Sequence, residues 1–176
     1  MLTLIKTNTL TTQLGKKVEV CFASPSQFIF KYQSELLPGW HTPIELVVLF
    51  LQESNISFRG SSREIIVDKD RLRSHFLRFG ANLVFALQDI GYQSDLFDPR
   101  TGYPWLTQPG SMTLDDNAVV TALLDYPAIA YKNCSLLNHP TWGDRIYPGT
   151  IVTTAPYNIV EPLSIQLLSK QGLTLS

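Results

Sequence analysis

Cysteine and charged residues are both scarce in this 176-residue chain. Two cysteines cannot build the disulfide framework of a small secreted protein, and a net charge of −1 excludes the strongly basic surface that nucleic-acid binding needs. A hydrophobic fraction of 44% is enough for a core without such cross-links. The composition therefore predicts a single domain over residues 1–176, in a reducing, cytoplasmic setting.

Long apolar runs and catalytic signature motifs are absent too. The first 17 residues contain no apolar segment followed by a small-residue cleavage site, and the apolar run 44–51 is too short to cross a bilayer. No phosphate-binding glycine loop, dinucleotide fingerprint or serine-hydrolase elbow occurs. The acidic pair Asp115–Asp116 is explained by a helix N-terminus. These absences favour a protein that is not an enzyme.

A metal site built from protein side chains alone is not expected either. The histidines are far apart, and no Cys-x-x-Cys or His-x-x-x-His spacing occurs. We expect His41 in a proline-flanked loop. His75 falls off the apolar stripe of the longest predicted helix, so we expect it to be solvated.

Apolar periodicity and capping signals predict the elements. The predicted strands cover 17–23, 44–51, 92–97, 130–138 and 149–155, with a hairpin at 55–67 that turns at Gly60. The predicted helices begin at the cap Ser24, at the cap Asp68, at 113–116 and at Glu161. Their order is not a strict alternation, which favours an α+β sandwich with a largely antiparallel sheet.

Two clusters of residues carry a resemblance to a known family. The first is the helix end ALQDIGY followed by Asp95, Phe97, Asp98, Pro99 and Gly102. The second is Cys134, His139, Trp142 and Gly143, with Gly149 before an apolar strand. In this order and at these spacings, they resemble the methylmalonic aciduria and homocystinuria type D protein family across most of residues 18–170.

That resemblance implies a nitroreductase-like, flavin-free fold and a non-enzymatic vitamin B12 trafficking adaptor. It implies a partner similar to the type C protein, which removes the upper ligand of cobalamin, and a cysteine thiolate that coordinates the cobalt. Animal members carry a long N-terminal extension that this sequence lacks, so the resemblance suggests a minimal, bacterial version.

The family's thiolate position falls on Asn133 here, and Cys134 follows it. If 131–138 is one regular strand, the two side chains point to opposite faces, and a bulge is needed to bring Cys134 to the ligand position. Lys132 would then share the face of Cys134. Asn133 itself offers only a neutral amide oxygen, so the protein either holds cobalamin without a cobalt–sulfur bond, presents Cys134 through a bulge, or uses another ligand. Cys134 is accordingly either a cobalt ligand or a small buried residue, and Cys21 is expected to be structural.

Among the remaining candidates, His139, Asp98 and Trp105 have two interpretations each. His139 either donates to a corrin side chain or bonds the backbone at a strand end. Trp142 and Gly143 shape a tight turn beside the cofactor. Asp98 and Trp105 are candidate partner contacts, although Asp98 also fits a turn and Trp105 fits a lid folded on the core.

Three functions remain open from the sequence. The first is the cobalamin adaptor, free of flavin and working through protein–protein contact. The second is a flavin-dependent nitroreductase-like oxidoreductase, against which stands the lack of an Arg-Ser-Arg-like segment near the N-terminus. The third is a structural relic of the fold with no B12 role.

Overall fold

The structure, a computed structural model, describes residues 4–176 of the chain. In chain order the elements are β1 (Leu4–Thr11), β2 (Lys17–Ala23), α1 (Gln27–Lys31), α2 (Gln33–Leu36), β3 (Leu46–Glu53), α3 (Arg63–Asp89), β4 (Ser94–Phe97), α4 (Asp116–Leu124), β5 (Ala128–Tyr131), β6 (Cys134–Leu137), β7 (Ile146–Thr153), α5 (Tyr157–Lys170) and β8 (Thr174–Leu175). The prediction about a secretory signal involves residues 1–3, which lie outside this range.

Six strands form one sheet in the order β4-β7-β3-β2-β1-β8, and every neighbouring pair is antiparallel. The apolar run of β3 is buried from Leu46 to Gln52 and pairs with β2 on one side and β7 on the other. Its predicted central position is confirmed. The other two strands, β5 and β6, form a separate hairpin.

Helices cover both faces of the sheet. Alternate residues of each strand point to opposite faces, so each face has its own set of apolar side chains that pack against helices. In β2, Val18, Val20 and Phe22 pack with α3 and α5. Cys21 and Ala23 pack with α1, α2 and α4 on the other face. Cys21 is fully buried, which confirms its predicted structural role. The molecule is thus α+β with a mostly antiparallel sheet, as predicted.

The longest helix begins earlier than its sequence signals indicated. Ser62 caps α3 by accepting a hydrogen bond from the backbone N–H of Ile65, so the predicted hairpin return at 65–67 is wrong. Asp68, the predicted cap, lies inside the helix and accepts from Ser54 Oγ at 2.6 Å. The predicted apolar stripe is buried except at its end, where Ile90 is exposed.

Other element boundaries also differ from the predictions. Ser26 caps α1, where Ser24 was predicted, and α5 begins four residues before Glu161. The segment 130–138 is not one strand, because the chain reverses between β5 and β6. Strand β1 was not predicted. His41 is exposed in a loop as expected, whereas His75 is half-buried rather than solvated.

Within residues 4–176, no helix combines the length and apolar character needed to cross a membrane.

Candidate functional site

The hairpin formed by β5 and β6 carries the two residues at the family's thiolate position. Tyr131 pairs with Cys134 across the hairpin, so Lys132 and Asn133 form a two-residue turn between the strands. Lys132 has a φ of 52°, in the left-handed region that tight hairpin turns require. Its Nζ lies 5.6 Å from the centre of the Tyr131 ring rather than beside Cys134 on a strand face.

Cys134 is exposed as the first residue of β6. Its Sγ donates to the Tyr131 carbonyl at 3.1 Å, so the thiol lies against the turn. The interpretation of Cys134 as a small buried residue is therefore wrong. The argument that a bulge must rotate Cys134 also fails, because alternation of faces applies within a strand and the chain turns at Asn133. The thiol is open to a ligand without a bulge.

His139 fixes the turn that follows the hairpin. Its Nδ1 accepts from the backbone N–H groups of Thr141 and Trp142, both at 3.1 Å. Its Nε2 therefore carries the proton and lies 3.2 Å from Glu19 Oε2 on β2. Both ring nitrogens have partners inside the protein, and the residue is 2% exposed. This geometry agrees with the backbone-bonding interpretation of His139.

Trp142 and Gly143 complete this turn. The Trp142 indole is buried and stacks on the His139 ring, with centroids 3.8 Å apart and planes 9° apart. Gly143 has a φ of 59° and exchanges backbone hydrogen bonds with His139. Because β6 leads directly into this turn, His139 and Trp142 anchor the base of the hairpin that presents Cys134.

Trp105 lies on a loop that a buried carboxylate holds in place. Asp95, on β4, is fully buried and accepts from the backbone N–H groups of Trp105, Leu106 and Thr107 at 2.7–3.2 Å. Trp105 and Leu106 remain 44% and 42% exposed. The interpretation of Trp105 as a lid folded on the core is wrong, and the loop presents it outward in a fixed position.

Asp98 is oriented inward instead. It is 9% exposed, and its carboxylate makes a two-point hydrogen bond with the Arg73 guanidinium on α3. That guanidinium, followed by the backbone N–H of Arg100, lowers the pKa of Asp98 against the effect of burial. Asp98 thus fastens the 98–102 turn to α3 and leaves a partner little surface to contact.

A cleft of about 530 Å³ lies beside the hairpin, within the size range of small-molecule sites. Its walls come from the 99–102 turn, the start of α4, β6, the start of β7 and the segment 66–70. Ser135, the residue after Cys134, is part of the wall. We call it the hairpin cleft. It lies between the 99–102 turn and β6, the strand that begins at Cys134, and Trp105 is not among its lining residues.

Asp116 gives the hairpin cleft an unusual carboxyl group. Both acids lie at the N-terminus of α4, as the dipole argument predicted, but Asp115 is the N-cap in place of the predicted Thr113, and Asp116 is buried and accepts a hydrogen bond from Thr150 Oγ1. Burial raises the pKa of Asp116 to about 7. A sequence pattern of two acids at a helix start cannot show which one the fold buries. The role of Asp95 could be predicted from the sequence, because a carboxylate inside an apolar strand before a loop rich in proline and glycine indicates a group that bonds to the loop backbone.

In the part of the chain from Leu4 onward, no three His, Cys, Asp or Glu side chains are close enough together to bind a metal ion. The exposed thiol of Cys134 is thus a single donor. It can complete the coordination of a metal that arrives with its other ligands, but it cannot bind a free ion with the help of its neighbours.

Comparison with known proteins agrees with the motif clusters. A family model described as methylmalonic aciduria and homocystinuria type D protein matches residues 6–164. The mouse and rat proteins named cobalamin trafficking protein CblD are 23% and 27% identical over 150 residues, which are 84% of this chain and 51% of theirs. The human protein of that name is 21% identical over 139 residues, 79% of this chain and 47% of its own length.

The chain spans about half the length of the curated relatives it matches. The family match, in contrast, extends over nearly all of the residues that form the sheet, its covering helices and the cysteine hairpin. The resemblance predicted from the two motif clusters is confirmed, and the chain belongs to the methylmalonic aciduria and homocystinuria type D protein family.

Proposed function

We propose that this protein is a cobalamin-trafficking adaptor, not an enzyme, and that the Cys134 thiolate coordinates the cobalt of cob(II)alamin. The observation that carries the proposal is the exposed thiol on the hairpin between β5 and β6 in a chain of this family. The relatives' name, cobalamin trafficking protein, supports the cargo. Cobalt enters this site as cargo inside its corrin ring, so one protein donor is enough.

Cys134 is a better candidate than Asn133 for the cobalt ligand because of its chemistry. A thiolate is a soft, anionic ligand, while the amide oxygen of Asn133 is neutral and binds cobalt far more weakly. The hydrogen bond from Sγ to the Tyr131 carbonyl breaks when the thiol ionises, which frees the sulfur to turn outward.

The other residues predicted to bind the cofactor act by holding the hairpin in place. His139, Trp142 and Gly143 fix the turn below the hairpin, so they keep β6 in place while its first residue binds cargo. The hairpin cleft begins one residue from the sulfur and offers hydrogen-bonding groups at Asp116 and Asn117. A corrin ring carries amide side chains on its edge, and a cleft of about 530 Å³ has room for one of them.

A partner similar to the type C protein would contact the loop of Trp105. Exposed aromatic residues on a rigid loop are typical interface anchors, because they bury a large area with little loss of conformational entropy. Asp95 provides that rigidity through its bonds to the loop amides. The contact predicted at Asp98 would act through the turn it fastens, and the single-domain assignment over residues 1–176 stays a prediction.

A visible-range titration tests the thiolate. Cob(II)alamin is added to the protein with and without a type C partner, and the spectra are compared with those of Cys134→Ser and Cys21→Ala. We expect a spectral change that Cys134→Ser abolishes and Cys21→Ala preserves. Identical spectra for the wild type and Cys134→Ser would remove Cys134 from the site.

The nitroreductase-like description of the fold also belongs to this proposal, as does the prediction that the protein holds no flavin. The antiparallel sheet with helices on both faces supports the comparison. A purified protein that is yellow from bound flavin would favour the oxidoreductase instead. A colourless protein that also neither binds cob(II)alamin nor co-purifies with a B12-processing partner would favour the relic.

A further inference from the structure

A second cleft, of about 410 Å³, lies on the α3 side of the molecule. Its walls come from the β1–β2 turn, the end of β3 and the first half of α3, and they share no residue with the hairpin cleft. The lining residues are Thr12, Leu14, Lys16, Lys17, Val18, Gln52, Glu53, Asn55, Arg71, Leu72, Ser74, His75 and Arg78. We call it the basic cleft, because four of its side chains are cationic and one is anionic.

The charge balance of the basic cleft is out of proportion to the chain's net charge of −1. Glu53 is shared between Lys16, at 4.0 Å, and Arg145, at 3.4 Å. Arg71 is paired with Asp68 outside the lining set. Over residues 4–176, the Arg78 guanidinium has no carboxylate within ion-pair distance, whereas Lys17 Nζ donates to the hydroxyls of Thr11 and Ser176, which lie outside the lining set. Arg78 therefore lacks a counter-charge from the protein in this concave surface, and Lys16 has only a share in the charge of Glu53.

His75 is a titratable residue in the wall of the basic cleft. Gln52 is buried, and its Nε2 donates to the Leu72 carbonyl at 2.8 Å. Its Oε1 is therefore the atom that lies 2.6 Å from His75 Nδ1, and it accepts the Nδ1 proton. The neutral ring thus carries its proton on Nδ1, and Nε2 has no protein partner within residues 4–176. The His75 ring also packs edge-to-face with the Phe50 ring, with centroids 5.7 Å apart.

Burial, followed by the charges of Arg78 and Arg71, lowers the pKa of His75. The other charged groups that line the basic cleft are Lys16, Lys17 and Glu53. An anion bound among these cations offsets their repulsion of an imidazolium and can accept a hydrogen bond from protonated Nε2. Anion binding and proton uptake should therefore be coupled.

We propose that the basic cleft binds a small phosphate-bearing molecule, and that His75 takes up one solvent proton at Nε2 when it binds. Guanidinium and ammonium groups are the usual ligands of phosphate oxygens, and the arginine fork fits two of them. Leu14 is 91% exposed at the mouth of the cleft and Leu72 lies in its floor, so an organic group attached to the phosphate finds apolar contact.

Calorimetry with inorganic pyrophosphate and with ADP as probes tests this site, at constant ionic strength and in two buffers of different ionisation enthalpy. We expect Lys16→Gln/Arg78→Gln to weaken the binding of both probes at least tenfold. Arg63→Gln is the matched control, because Arg63 is an exposed arginine of the same helix outside the lining set. It should change affinity less than twofold. Circular dichroism confirms that each variant is folded.

The His75→Gln variant tests proton uptake by His75 separately from anion binding by the cationic side chains. The variant should still bind pyrophosphate, but the proton uptake measured for the wild type should fall by most of one proton. In the wild type, the ring resonances of His75 should titrate at higher pH when pyrophosphate is present than with sodium chloride. Tighter binding of ADP than of pyrophosphate assigns the site to an organic phosphate, and equal binding assigns it to inorganic phosphate.

Three results would overturn the proposal. They are no binding of either probe, an equal loss of affinity in Arg63→Gln and the double variant, and unchanged proton uptake in His75→Gln. None of them bears on cobalamin, since the residues of the basic cleft are separate from the hairpin.

Discussion

Replacing Gly149 with alanine is the sharpest test of how the sheet packs on α3. Gly149 lies in β7 opposite Phe50 of β3. A Cβ at this position would be 2.6 Å from Cδ2 and Cε2 of Phe76 and 2.7 Å from its Cγ. Carbon atoms in contact prefer about 3.5–4.0 Å, so the ring must move by about 1 Å. This close approach explains why a glycine precedes the apolar segment here.

Phe76 has no free direction in which to move. Its side chain is fully buried, and its ring lies 6.1 Å from that of Phe50, which stacks on Phe79 at 4.7 Å. Overpacking a core of this kind costs about 1–3 kcal/mol. For a chain of this size, that corresponds to a fall in melting temperature of roughly 2–12 °C. Alanine's lower unfolded-state entropy offsets less than about 1 kcal/mol of this cost.

Urea unfolding monitored by circular dichroism gives the free energies, and Gly39→Ala is the matched control. Gly39 is exposed, and a Cβ there meets no atom within 4 Å, so its change should be within about 0.5 kcal/mol. In a Phe76→Leu background, Gly149→Ala should cost less, because the ring it strikes is gone. Equal stability of Gly149→Ala and Gly39→Ala would refute the packing.

Three further predictions concern the ionisable groups. Because burial raises the Asp116 pKa from 3.8 to about 7, the folded state keeps a proton that the unfolded state loses, so wild-type stability falls as pH rises from 4 to 7. Asp116→Asn should remove this fall and gain about 4 kcal/mol on the wild type between pH 4 and 8. Asp95→Asn should cost about 2–4 kcal/mol and speed amide exchange at Trp105, because the loop loses a carboxylate acceptor. Iodoacetamide should alkylate Cys134 in the native protein but Cys21 only after the protein is unfolded, since Cys21 is buried and its burial raises the pKa of the thiol to about 12.

Each of these measurements has an outcome that contradicts its reasoning. Parallel stability–pH curves for Asp116→Asn and the wild type would mean that the carboxyl is not buried in solution. Unchanged exchange at Trp105 in Asp95→Asn would mean that the loop does not depend on the carboxylate. Alkylation of Cys21 as fast as Cys134 under native conditions would contradict the burial of Cys21 between the sheet and helices α1, α2 and α4.

Periodicity predicted the parts of the fold whose burial is one-sided or complete. The apolar run of β3 and the stripe of α3 have strong patterns, and the structure places both in the core. Strand β1 was missed because its threonines are polar by composition, although they favour extended backbone. The β-branched run 65–67 favoured a strand locally, but the Ser62 cap and the helix that follows decide its conformation.

The candidate site was predictable in its residues and not in its geometry. Motif order identified Cys134 and His139, yet the turn at Lys132–Asn133 contains no glycine, so it lacks the strongest local signal of a chain reversal. That reversal changes Cys134 from a buried strand residue to an exposed thiol. The burial of Asp116 depends on Thr150 from a distant strand, which local patterns cannot show.

Cobalt K-edge absorption of cob(II)alamin bound to the protein, with its partner present, measures the ligand atom itself. Coordination by the hairpin cysteine predicts a sulfur scatterer in the first shell of the cobalt, replaced by oxygen or nitrogen in Cys134→Ser. A first shell without sulfur in the wild-type complex would contradict it.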